Sequence, residues 1–157
     1  MTELRGIEPG MPTLEATYRE LHLPLRRLAF LLTGSRETAE DVVQNAFASA
    51  QPRWDGIEAP AAYLRRSVVN LAKDHHRREL RRRRLLRVEP EAVTAIPELD
   101  ETWALIRRLP SIQRAVVVLH FYEDLPLVEV GRLLGRPAST VRSDLRRALA
   151  RLRKDLS

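Results

Sequence analysis

Apolar positions recur at helical spacing through most of this chain. After Thr13, residues Leu14, Tyr18, Leu21, Leu25, Leu28 and Leu32 lie three or four apart, which predicts an amphipathic helix closed by Gly34. Pro24 falls inside that run and is expected to kink or split it, because proline lacks the amide proton and clashes with the preceding turn. A second helix is predicted from "SRETAED", with Ala39, Val43, Ala46, Phe47 and Ala50 on its apolar face. Asp41 and Asn45 lie opposite, Gln44 lies on the flank, and Thr38 with Asp41 has the spacing of a capping box. "QPRWDGIEAP" reads as a loop, and Pro60 suits the first turn of a third helix. In that helix Leu64, Val68, Leu71, Ala72 and His75 form one side, and Arg66, Asn70, Lys73 and Arg77 form the other.

The period stops in the arginine-rich stretch that follows. Residues 84–99, with their prolines and glutamates, read as a linker between two helical domains, 13–83 and 100–157. Residues 1–12 carry Gly and Pro without a period and read as a flexible terminus. Asp100 is the expected N-cap of the next helix, with Trp103 and Ile106 inward and Pro110 ending it. "SIQRAVVVLHFYED" fits a short helix or a buried strand; its periodicity does not separate the two. The C-terminal stretch reads as helix–turn–helix. A first helix near Leu127–Leu134 buries Val130, Leu133 and Leu134, and Gly131 permits close approach. Gly135 supplies a left-handed cap, and Pro137 starts the second helix. That second helix buries Val141, Leu145, Ala148, Leu149, Leu152 and Leu156, and turns Ser139, Ser143, Arg146, Arg147 and Lys154 outward with Thr140 and Arg142 on the flanks.

Charge gives these faces a meaning. The 157 residues carry a formal net charge of +6, which favours an acidic partner such as nucleic acid or an anionic membrane. Short hydroxyls and guanidinium groups on one helix face suit a major groove, where they bond phosphates and, for Arg, the edge of guanine. The absence of cysteine removes disulfides, thiol chemistry and Cys-type zinc sites. No secretory h-region opens the chain and no apolar run approaches the ~20 residues of a membrane span, so a cytoplasmic protein without membrane insertion is expected. His75 and His76 are adjacent and point apart on a helix, while His22 and His120 are scattered, so no metal site is expected. No phosphate loop or catalytic constellation appears, so neither a cofactor nor enzymatic activity is expected.

At this point the residues resemble the extracytoplasmic-function sigma factors, small specificity subunits of bacterial RNA polymerase. "LAFLLTGSRETAEDVVQNAF" and "WDGIEAPAAYLRRSVVNLAKDHHRR" look like the two halves of sigma region 2. "LPSIQRAVVVLHFYEDLPLVEVGRLLGRPASTVRSDLRRALARLR" is similar to region 4. The resemblance implies an all-α, two-domain protein that binds core RNA polymerase, melts and reads the −10 element, and reads the −35 element as duplex. By position it implies polymerase contacts at Asp41, Gln44 and Asn45. It implies −10 contacts from the loop with Trp54 and Asp55 and from Arg66, Asn70, Lys73 and Arg77. It implies −35 contacts at Ser139, Thr140, Arg142, Ser143, Arg146 and Arg147. A separate anti-sigma factor is the implied regulator. Three positions depart from the family's pattern: Asn45 where Glu is frequent, Asp144 where a basic residue is common, and Arg136 where Ser often caps.

Bland readings compete at single residues. Asn70 alone reads as a polar surface residue; its cationic company and the resemblance favour a base contact, since an amide both donates and accepts. Trp54 fits either plain core or a stacking wall for an unpaired base. The arginines of 77–87 fit either phosphate contact or a solvated linker. Two other functions compete: a stand-alone helix–turn–helix regulator with a sensing or dimerising N-terminal half, and a nucleic-acid-modifying enzyme, for which convergent acid, base or metal residues are missing.

Overall fold

The computed structural model describes residues 11–87 and 101–156. Its elements there are helical: α1 (Leu14–Thr33), α2 (Arg36–Ala50), a 3-10 turn at Gln51–Gly56, α3 (Pro60–Leu86), α4 (Glu101–Ile106), α5 (Ser111–Val117), α6 (Leu127–Leu134) and α7 (Ala138–Leu156). The proposed cap at Asp100 and residues 88–99 of the expected linker lie outside the described residues.

Local chemistry explains most boundaries. The Thr13 hydroxyl accepts from the Ala16 amide at 3.1 Å to start α1, and Gly34 at φ 75° closes it with its amide on the Phe30 carbonyl at 2.7 Å. Of the kink or split expected at Pro24, the split does not occur; α1 runs through the proline. Pro24 and Glu20 are both exposed, so water can serve the Glu20 carbonyl that loses its partner. The expected capping box at Thr38 is also corrected. Ser35 caps α2 by accepting from the Thr38 amide at 3.2 Å, three residues earlier than the Thr38–Asp41 pairing required.

The "AVVVLHFY" run resolves as helix, not strand. Helix α5 widens into a π turn over Val118–Tyr122, where the Glu123 amide reaches the Val118 carbonyl at 3.1 Å. Asp124 then takes a left-handed φ of 55°, a conformation that Asp tolerates, and the Leu125 amide turns back to the Leu119 carbonyl at 3.1 Å. Gly135, at φ 67°, ends α6 as its sequence position predicts. In α7 the expected buried stripe holds at Val141 and Ala148, with Leu145, Leu149 and Leu152 half-buried. Leu156 is a correction: it is 73% exposed, because the last turn extends beyond the helices that would cover it.

The two halves share one core. Leu28, Phe30, Val43, Leu64 and Val68 from α1–α3 belong to the same buried cluster as Trp103, Val116, Leu119, Val130 and Val141. The Phe30 and Trp103 rings meet at a centroid distance of 5.4 Å, tilted by 45°. Polar ties cross at the same boundary. Arg114 donates to the Leu32 carbonyl at 3.0 Å, Arg65 pairs with Glu123 at 3.1 Å, and Lys73 donates to the Leu134 carbonyl at 3.3 Å. Arg114 is held by a backbone oxygen and, among the described residues, by no carboxylate, and burial lowers its pKa from the usual arginine value.

Candidate nucleic-acid interface

Two helices carry the faces predicted to meet DNA. On α3, Arg66, Asn70 and Arg77 are exposed, and steps of four, three and four residues from Arg66 through Asn70 and Lys73 to Arg77 put all four side chains on one face. Lys73 is only half-exposed, since its ammonium is bonded to the end of α6. Arg77 is tied to Asp74 at 3.2 Å. Beyond it the arginine block continues α3 as a solvated helix to Leu86, with Arg82 at 3.0 Å and Arg83 at 3.5 Å from Glu79. Residues 84–86, read as the start of a linker, are therefore helical.

Trp54 is placed in the core, 9% exposed, and its indole N–H donates to the Pro12 carbonyl at 3.1 Å. That burial is what the plain-core reading of Trp54 expects. Asp55 beside it is exposed.

The helix–turn–helix is built from α6 and α7. A Cβ on Gly131 would lie 2.5 Å from the Arg136 carbonyl oxygen and 3.5 Å from Val141 Cγ2, so the turn and α7 press on α6 where no side chain stands. The Arg136 amide donates to the Gly131 carbonyl at 2.8 Å. Ser139, Arg142, Arg146 and Arg147 are exposed on α7, and Thr140 and Ser143 are half-exposed. The Ser143 hydroxyl donates back to the Ser139 carbonyl at 3.2 Å. Asp144 does not join this face: it is 4% exposed and bonds Arg136 at 3.2 Å. Spacing held the signal, since Asp144 lies three residues after buried Val141 and four before buried Ala148.

On α2, Asp41, Gln44 and Asn45 are exposed together. The Gln44 amide nitrogen donates to the Tyr18 hydroxyl at 2.9 Å and to Glu40 at 3.0 Å. His22 at 3.0 Å and Arg26 at 3.4 Å approach the same carboxylate. The Gln44 hydrogen bond first, then His22, hold the Glu40 pKa at about 2 instead of 4.5. Because the folded pKa lies below the unfolded one, the stabilisation is complete above about pH 4.5 and disappears as the pH falls toward 2. Glu40→Gln is thus expected to be less stable than wild type near neutral pH, by no more than ~1 kcal/mol because the site is partly solvated. The two should melt together near pH 2, and a gap that persists there would assign the loss to something other than the charge.

Between α3 and the turn before α7 lies a cleft of about 400 Å³, floored by Leu32, Ala72 and Ile112 and rimmed by Lys73, His76 and Arg136. Burial, and then the Arg114 charge, lower the His76 pKa. Among the described residues no group of three or more His, Cys, Asp or Glu is arranged to hold a metal ion. Nor is any helix there long and apolar enough to cross a membrane.

Two helical units thus carry polar, basic outer faces. Sigma-70 region 2 matches residues 17–83, and sigma-70 region 4 matches residues 105–154. The RNA polymerase sigma-E factor of Streptomyces coelicolor is 35% identical over 144 residues, which cover 84% of this chain and 79% of that protein. The ECF RNA polymerase sigma factor SigM of Mycobacterium tuberculosis is 32% identical over 151 residues, covering 86% and 72%. The solved structure of the sigma factor RpoE in complex with the anti-sigma factor NepR, from Bartonella quintana, shares the fold at a TM-score of 0.71 and 24% identity, over 88% of this chain and 94% of that one. The chain belongs to the extracytoplasmic-function group of the sigma-70 family of RNA polymerase sigma factors. It is a non-enzymatic transcription initiation factor, and the match of its N-terminal half to region 2 leaves the stand-alone regulator without support.

Proposed function

We propose that this chain acts in the cytoplasm, binds core RNA polymerase through the α2 face of Asp41, Gln44 and Asn45, and reads a two-part promoter. The α3 face takes the melted −10 strand, and the α7 face takes the −35 duplex. The observation that carries this reading is the pairing of two exposed polar and basic helix faces, one on each half: Arg66, Asn70 and Arg77 on α3, and Ser139, Arg142, Arg146 and Arg147 on α7. Cations supply salt-dependent attraction to phosphate, and the amide and hydroxyl groups supply hydrogen bonds of defined direction. Melting on this reading is driven by capture of unstacked bases. A separate anti-sigma factor completes the proposal as the regulator that keeps the chain from the polymerase.

Transcription in vitro with core polymerase across a genomic promoter library tests the whole reading. Promoter-specific transcripts that need this chain are expected. Failure both to co-elute with core polymerase and to start specific transcripts would sink it. Asn70→Ala addresses the division of labour. It is expected to impair open-complex formation, followed by permanganate reactivity of unpaired thymines, while leaving binding to a −35 duplex within about twofold. Equal loss in both assays would remove Asn70 from base reading.

A further inference from the structure

A buried carboxylate on the DNA-facing side of the molecule needs a reason. Asp144 lies in α7, its side chain 5% exposed, with Oδ2 accepting from Arg136 Nη1 at 3.2 Å and Oδ1 at 3.8 Å from Arg147 Nη1. Arg136 and Arg147 approach it from different elements, the turn and the helix, and remain 38% and 68% exposed. The backbone of Arg136 is already fixed, because its amide bonds Gly131 and its carbonyl abuts the position where a Gly131 Cβ would stand. The bond to Asp144 therefore adds little to holding the turn in place. What it sets is the direction of the guanidinium, whose Nε and Nη2 have no protein partner among the described residues. Helical spacing puts Thr140, Asp144 and Arg147 on one flank of α7, between the outward serines and arginines and the buried stripe. The flank of a helix lying in a major groove faces the phosphate wall, not the base edges.

We propose that Arg136 is a phosphate-binding residue of the −35 interface and that Asp144 is the positioning residue that aims Arg136 and Arg147 along one phosphate wall. Asp144 neutralises one of the two guanidinium charges locally, and its burial keeps the carboxylate away from the DNA. The two departures of this chain, an acid within the reading helix and an arginine in the turn, are then one device. The turn carries the cation, and the helix carries the counter-charge that orients it. This inference rests on α7 facing duplex DNA.

The test is phosphate-by-phosphate. Holoenzyme assembled from the full chain and core polymerase is titrated with a −35 duplex that wild-type holoenzyme recovers from a random-sequence pool. Single phosphates along both strands of that duplex are replaced by neutral methylphosphonates. Arg136→Met is expected to weaken binding roughly tenfold and to reduce the salt slope by about one. It is also expected to abolish sensitivity to one particular phosphate that wild type feels. Asp144→Asn should blunt sensitivity at that same phosphate, although every arginine is still present; a brace that only stabilised the turn would lower the melting temperature and leave the phosphate profile unchanged. If Arg136→Met does not fold, Arg136→Lys keeps the charge without the fork and should show weakened sensitivity at the same place. A variant profile identical to wild type at every phosphate overturns the assignment. Wild-type holoenzyme indifferent to every phosphate of the duplex would instead sink the −35 reading of α7.

Discussion

Replacing Gly131 with alanine is expected to destabilise the protein and weaken its grip on duplex DNA, although helix propensity alone predicts the opposite. An alanine within a helix gains up to about 1 kcal/mol over glycine. Here the added carbon would stand 2.5 Å from the Arg136 carbonyl oxygen, a backbone atom that no side-chain rotation can clear. Overpacking of this kind costs about 1–3 kcal/mol. It acts at the turn that sets α7 against α6, so the reading helix must tilt or the turn must open. Net destabilisation of about 1–2 kcal/mol and a drop of roughly tenfold in binding to a −35 duplex are expected, read by thermal denaturation and by titration of the holoenzyme. A raised melting temperature with unchanged binding would show that the turn has slack.

Phe30→Ala has the largest expected effect on stability. The ring is 2% exposed and sits 5.4 Å from Trp103, in the core that both halves share. Removing a buried phenylalanine costs about 3–5 kcal/mol. For a chain of this length, that lowers the melting temperature by on the order of 10 °C. The near-ultraviolet signal of Trp103 reports the loss directly. Because Phe30 belongs to the first half and Trp103 to the second, a single cooperative transition is expected in the wild type. Two separate transitions would mean that the halves melt independently and that Phe30 supports only its own.

Most of the helices were legible from spacing because each buries one stripe. The apolar steps of α1, α2 and α3 and the Gly135–Pro137 turn needed only local rules. The misses have local causes as well. Pro24 looked like a break because sequence does not show which side of α1 faces water. Ser35 and Thr38 are both plausible caps, and hydrogen-bond geometry chooses between them. The "AVVVLHFY" run shows no period because Val116, Val117, Val118 and Leu119 are buried in succession, under α1, α6 and α7, while the aromatic Phe121 and Tyr122 that follow are exposed. The shared core was not legible at all. Phe30 and Trp103 are 73 positions apart and nothing local couples them. For the candidate site, the exposed faces of α3 and α7 were readable because exposure follows from the buried stripe. Lys73 on Leu134 and Asp144 on Arg136 were not, since both bonds join separate elements.

The common core has a consequence for anyone who takes the chain apart. A cut between Arg87 and Glu101 yields two pieces that each expose half of one interior: Phe30 and its neighbours on the first, Trp103 and Val116 on the second. Such pieces are expected to behave as complementing fragments and not as autonomous modules, recombining in trans when mixed. Their dissociation constant, set against the millimolar effective concentration that a short tether provides, converts into the fraction of intact molecules standing open at any moment. That fraction fixes how much of the protein is ready to receive a partner without first being pried apart.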